Sequence, residues 1–251
     1  MCDVSKAQQK LTDKEVIDLF VKYLANEGNS GIKVDTKPDE ENRQSTEIDA
    51  IAGPFAIEHT SIDTIPNQRR NTAYFVQVVK PLEDEFRCKL PFRLVVTFHY
   101  EGIQTGQKWS QITTALRKWV LEEAPKLSIG RHVINDVPEV PFEFHADKRS
   151  SNHTGLLFGR FAPNDDTFSD RLRDQLDRKI EKLSRYKVQN KTTILLLESS
   201  DMALMNDEIM RIGLRSAYTS GLPQGLDQIW FADTSIPEEI LFTEMTQAVV
   251  R

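Results

Sequence analysis

The apolar positions along this chain change period several times, and each change marks an element. Val16, Ile17, Phe20 and Leu24 recur at helical spacing, and Thr12-Asp-Lys-Glu15 ahead of them is a capping box. Gly28 stops that helix. Residues 46–52 and 55–60 read as two short strands meeting at Gly53-Pro54, a turn that folds them into a hairpin. Residues 67–87 read as helix, with Phe75, Val79, Leu82 and Phe86 apolar and an interruption or restart at Pro81. A strand over 92–100 and a helix over 109–123 follow. Residues 131–160, with Pro138, Pro141 and Gly155, read as short strands and loops.

The C-terminal half has the plainest pattern. Leu172, Leu176, Ile180 and Leu183 stripe a helix over 168–186, Thr192-Thr-Ile-Leu-Leu-Leu-Glu198 is a continuous apolar run, residues 201–217 read as helix, and 226–232 as another strand. Uninterrupted apolar strands alternating with helices indicate parallel strands buried on both faces. The pattern predicts an α/β fold with a mixed central sheet flanked by helices: a single domain over 1–251, with residues about 88–165 an insertion in its core.

Chemistry enters where acids interrupt the hairpin. Side chains alternate faces along a strand, so Glu47 and Asp49 share one face of the first run, and Glu58 and Thr60 one face of the second. Folding the hairpin brings Asp49 and Glu58 together beside Ile48, Ile51, Phe55 and Ile57, which is what an oxygen-ligated divalent cation such as Mg²⁺ needs. Exposed acids beside a turn are the plainer reading of the same residues. His59 points to the other face, where a satisfied core histidine is expected. Lys179 falls inside the apolar stripe of its helix, so it either snorkels to the helix edge or meets a buried anion. Glu15 is accounted for by its capping role.

The acids also carry a resemblance. An Asp on one strand, a turn, and Glu-x-Lys on the next is the metal-binding signature of the PD-(D/E)XK nuclease superfamily. Asp49 and Glu58 stand in those places, with Thr60 where that family has its Lys. Ala56-Ile-Glu-His-Thr60, followed by a polar loop with Gln68-Arg-Arg70, also resembles a group of bacterial proteins placed near that superfamily. The resemblance implies a restriction-endonuclease-like αβββαβ core and a nuclease that hydrolyses DNA or RNA with Mg²⁺ or Mn²⁺. Asp49 and Glu58 would be the metal ligands. Some members supply the Lys from a neighbouring helix, which makes Lys179 the expected third catalytic residue, with Lys182 or Lys80 behind it. Arg69, Arg70 and Lys182 are candidate phosphate contacts. A member that has lost its Lys would instead be a binding or scaffold protein of the same fold.

Composition narrows these readings. Two cysteines, Cys2 and Cys88, are too few for a disulfide framework and form no CxxC pair. The histidines show no HxH or HxxxH spacing, and no GxxxxGK[ST], GxGxxG or GxSxG occurs, which disfavours zinc chemistry, P-loops, Rossmann cofactor sites and nucleophile elbows. No apolar run reaches the ~20 residues of a membrane span and the N-terminus lacks the apolar region of a signal peptide, so a cytoplasmic protein without membrane contact is expected. The net charge of −6 argues against nonspecific coating of nucleic acid. Residues 171–191 nevertheless hold eight basic residues against three acids, a face that suits a nucleic-acid partner or a merely solvated helix. Whether the chain forms a homodimer is left open by its sequence.

Overall fold

A computed structural model describes residues 11–42, 47–163, 165–201 and 203–250. The chain is mixed α/β and divides into two compact units, one built from residues 65–164 and the other from the segments on either side. The first of these overlaps the segment, residues about 88–165, that the sequence sets apart. That unit begins at Ile65, and the helix before residue 88 packs into its core.

The flanking segments form a five-stranded sheet. Helix α1 (Asp13–Asn26) opens with the expected capping box: the Thr12 hydroxyl accepts from the Glu15 N–H at 3.3 Å, and the Glu15 carboxylate accepts from the Thr12 N–H at 2.8 Å. After the short helix α2 (Pro38–Glu41), strands β1 (Ala50–Ala52) and β2 (Phe55–Ser61) make the hairpin, with Gly53 in the left-handed conformation its turn requires. The Gly53 carbonyl accepts from Lys191 Nζ at 2.6 Å and its N–H donates to Asp35 at 2.7 Å, so the turn is fixed from both sides.

Helix α3 (Gln68–Phe86), strand β3 (Arg93–His99), helix α4 (Trp109–Glu122) and strands β4 (Gly130–Ile134), β5 (Phe144–Arg149) and β6 (Gly155–Phe161) form the intervening unit. Its sheet has the order β4-β5-β3-β6, antiparallel except for the parallel β3–β6 pair. Val78, Val79, Leu82 and Phe86 of α3 and Ile112, Leu116 and Trp119 of α4 bury against it. Helix α3 runs unbroken through Pro81, contrary to the expected interruption. Burial of Val78, Val79 and Leu82 on either side of the proline holds the helix together there.

The chain then returns through α5 (Phe168–Lys187), β7 (Thr192–Ser199), α6 (Asp207–Ala217), β8 (Gln228–Asp233), β9 (Leu241–Glu244) and α7 (Thr246–Val249). The sheet order is β1-β2-β7-β8-β9, with β2, β7 and β8 parallel and an antiparallel strand at each edge. Helix α6 starts later than expected because Asp201 turns the chain first, accepting from the Ala203 and Leu204 N–H groups, and Asn206 then caps the helix through the Ile209 N–H at 3.0 Å. Val16, Ile17 and Phe20 of α1 pack on one face of the sheet against Ile57, Ile194 and Leu196. Leu172, Leu176 and Leu183 of α5 and Leu214 of α6 pack on the other, against Ala56, Leu195 and Leu197. Strand β2 is therefore covered on both sides, and six of its seven residues are buried, Glu58, His59 and Thr60 among them. Among the described residues no helix is long and apolar enough to cross a membrane.

Candidate active site

The ladder pairs Ala50 with Ile57, and the same register carried one residue further sets Asp49 opposite Glu58. Asp49 is fixed there by its own carboxylate, which accepts from the His59 backbone N–H at 2.7 Å. Glu58 has no exposed surface. On that face of β2 the covering element is α5, where Gln175, Lys179, Lys182 and Tyr186 follow one another at intervals of four, three and four residues. That spacing places all four on one side of the helix, along the edge of its apolar stripe.

Each of the four reaches the hairpin. Lys179 Nζ donates to Glu58 Oε1 at 2.6 Å, and Lys182 Nζ donates to the same oxygen at 2.9 Å and to the Glu47 carbonyl at 3.0 Å. Gln175 donates to the Thr60 hydroxyl at 2.8 Å and to the Ser61 carbonyl at 3.1 Å. The Tyr186 hydroxyl donates to Glu47 Oε2 at 2.7 Å; burial and that acceptor raise its pKa to about 12. Lys179 thus meets a buried anion instead of snorkelling. Thr60 is engaged by Gln175.

Glu58 is unevenly satisfied. Its Oε1 takes both ammonium groups, while Oε2 is buried without a hydrogen-bond partner. Burial raises its pKa, and the neighbouring Asp49 charge raises it further, against the opposing pull of Lys179 and Lys182. A carboxylate oxygen shielded from water and lacking a donor, opposite a second carboxylate, suits a hard divalent cation.

The structure brings Asp49, Glu58, Lys179 and Lys182 together. Arg69 and Arg70 are exposed on the first turn of α3 and belong to the other compact unit. Lys80 is half exposed and pairs with Asp84 at 3.1 Å on its own helix.

The opposite face of β2 carries a cluster absent from the sequence reading. His59, expected to be a satisfied core histidine, has its Nε2 3.3 Å from Glu198 Oε2 outside hydrogen-bond geometry, and its Nδ1 4.0 Å from Asp13 Oδ1. Glu198 Oε2 accepts from the Ser61 hydroxyl at 2.7 Å and Oε1 from the Thr234 hydroxyl at 2.8 Å. Burial acts to raise its pKa, but His59 and the two hydroxyls bring it down to about 2. Asp13, His59 and Glu198 form a group able to hold a metal ion. No spacing signal announces it, because its members come from a helix start and two different strands. Comparison with protein-family models, curated proteins and solved structures gives no match.

Proposed function

We propose that the hairpin face of β2 is the active centre of a metal-dependent phosphodiesterase of PD-(D/E)XK type, acting on DNA or RNA. The observation that carries the reading is the 2.6 Å contact of Lys179 with Glu58, a lysine from a neighbouring helix meeting the acid whose own strand has Thr60 in the motif position. The order α1, β1, β2, α5, β7 shares a helix, a hairpin, a helix and a strand with the αβββαβ pattern but has two strands before α5 instead of three, the intervening unit being entered after β2.

Asp49 and Glu58 would hold Mg²⁺ or Mn²⁺, the latter through its unpartnered Oε2. When bound, such an ion polarises a phosphodiester and lowers the pKa of a coordinated water. Lys179 has three N–H donors and two protein acceptors, Glu58 Oε1 and, at 3.4 Å, the His59 carbonyl. Its remaining donor orients the attacking water and offsets negative charge on the phosphate oxygens. The water gives up one proton to solvent as its oxygen bonds to phosphorus, the bond to the leaving oxygen breaks, and that oxygen takes up a proton from solvent. Lys182 and Tyr186 fix the segment that carries Asp49 into β1 by holding Glu47.

The rival is a binding or scaffold protein of the same architecture, favoured by the two ammonium groups already on Glu58 Oε1. Purified protein with Mg²⁺ or Mn²⁺ and a panel of single- and double-stranded DNA and RNA separates the two. We expect cutting of at least one substrate, abolished by EDTA, by Glu58→Gln and by Lys179→Met. Binding of a nucleic acid with the panel intact supports the scaffold reading. Cutting that survives both substitutions overturns the assignment of these residues.

A further inference from the structure

We propose that Asp13, His59 and Glu198 form a second metal site, selective for a first-row divalent ion such as Zn²⁺, on the face of β2 opposite Glu58. The site shares no side chain with the phosphodiesterase centre and does not depend on that reading.

The donor set is one imidazole and two carboxylates. Imidazole favours Zn²⁺ and its neighbours over Mg²⁺, which prefers an all-oxygen shell. The distances agree with that choice. Zn²⁺ sits ~2.0–2.2 Å from nitrogen and carboxylate ligands, so two ligands at a tetrahedral angle lie roughly 3.4 Å apart. His59 Nε2 and Glu198 Oε2 are 3.3 Å apart. One ligand atom from each of the three residues lies within 4.8 Å of the others. The residue that must move to close the set is Asp13, whose side chain is 79% exposed at the first turn of α1 and free to change rotamer.

A second observation points to a ligand. His59 Nε2 is buried and makes no hydrogen bond, although Glu198 is close enough to take one. An ion between the two atoms satisfies both. The Ser61 and Thr234 hydroxyls each hold one Glu198 oxygen and fix the carboxylate, as outer hydrogen bonds do around metal ligands. The cluster lies at the carboxyl ends of the parallel strands β2 and β7, the end of an open α/β sheet where ligands bind. Three protein ligands, one at the surface, leave a coordination position on the solvent side.

The test uses the full chain, stripped with EDTA and titrated with Co²⁺ and, in competition with a chromophoric chelator, with Zn²⁺. One equivalent of Co²⁺ should give visible d–d absorption that Zn²⁺ displaces. Asp13→Asn removes an exposed ligand without disturbing the core, and should weaken both metals by about tenfold or more with the circular dichroism unchanged. Glu58→Gln should leave both affinities as in the wild type, which separates this site from the hairpin face. His59→Gln, if folded, should abolish the spectrum. Absence of stoichiometric binding, binding unchanged in Asp13→Asn, or binding lost in Glu58→Gln would each overturn the proposal.

Discussion

Replacing Lys179 by Met removes one of two cations from a carboxylate that has no contact with water. At an effective dielectric of about 20, unit charges at the Glu58–Lys179 and Glu58–Lys182 distances of 2.6 and 2.9 Å attract by roughly 6 kcal/mol each, much of it offset by desolvation. Breaking a buried pair by removing one partner costs about 3–5 kcal/mol. Here Lys182 keeps nearly the same attraction on the same oxygen and Lys179 is 26% exposed, so about half of that cost remains. The expected loss at neutral pH is about 2 kcal/mol, read from urea melts followed by far-UV circular dichroism. In a Glu58→Gln background the same substitution should cost under about 0.5 kcal/mol, since there is no buried charge left to strand. The sign with pH follows from the raised pKa of Glu58. Burial and Asp49 lift it above the ordinary 4.5, so the folded protein holds this proton more tightly than the unfolded chain, and stability falls as pH rises from 4.5 through the folded value. Without Lys179 that folded value rises further, so the Lys179→Met deficit grows with pH across this window and shrinks in acid, where Glu58 is neutral. An equal loss in both backgrounds, or a deficit independent of pH, would refute the argument that the ion pair is what Lys179 contributes.

Two further outcomes concern the scaffold. Burial works to raise the Asp227 pKa, but Lys187 and the Thr193 N–H and hydroxyl hold it below 3.8; its contribution is present above that value and is lost as pH falls through the lowered folded one. Asp227→Asn should therefore cost about 1–2 kcal/mol in neutral melts and progressively less in acid; an acid-independent deficit counts against the linkage. Gly213→Ala drives a Cβ into Phe168 Cε1 where α6 meets α5, so it should lower the thermal midpoint by an amount equivalent to about 1–2 kcal/mol despite alanine's better helix propensity, and a raised midpoint would show that Phe168 moves aside freely.

Where local pattern and tertiary burial agree, the elements were legible. The capping box, the Gly53 turn and the stripe of α5 each state one structure at several levels, and the expected elements other than α6 lie within a few residues of their places, while α2, β9 and α7 had no expected counterpart. The start of α6 and the course of α3 were not legible, because the deciding contacts are side-chain caps at Asp201 and Asn206 and the packing around Pro81. No linker composition marks Ile65, and only three-dimensional contacts assign α3 to the intervening unit. At the candidate site, Asp49 and Glu58 could be paired from alternation and a turn, and Lys179 stood out as a charge inside an apolar stripe. Gln175 and Tyr186 lay in plain view at helical spacing from it, a signal a row of polar residues beside the stripe could have given. Asp13 was hidden by the capping box around it and Glu198 by the apolar run that precedes it.

A buried strand with three consecutive polar residues is costly unless each finds a partner, and β2 resolves this by splitting them between its faces. Glu58 and Thr60 turn to the lysines and glutamine of α5, and His59 turns to Glu198 and Asp13. A plain stability role would leave every such atom satisfied, and an apolar strand would serve as well. Yet one atom on each face, Glu58 Oε2 and His59 Nε2, is sealed from water without a donor or acceptor. Asp49 ties the two faces together, since its carboxylate opposes Glu58 and is held by the backbone N–H of His59. A one-residue slip of β2 against β7 would turn Glu58 and His59 to each other's faces and empty both clusters at once. The short hairpin, its Gly53 turn held by Asp35 and Lys191, is thus the element on which both arrangements depend.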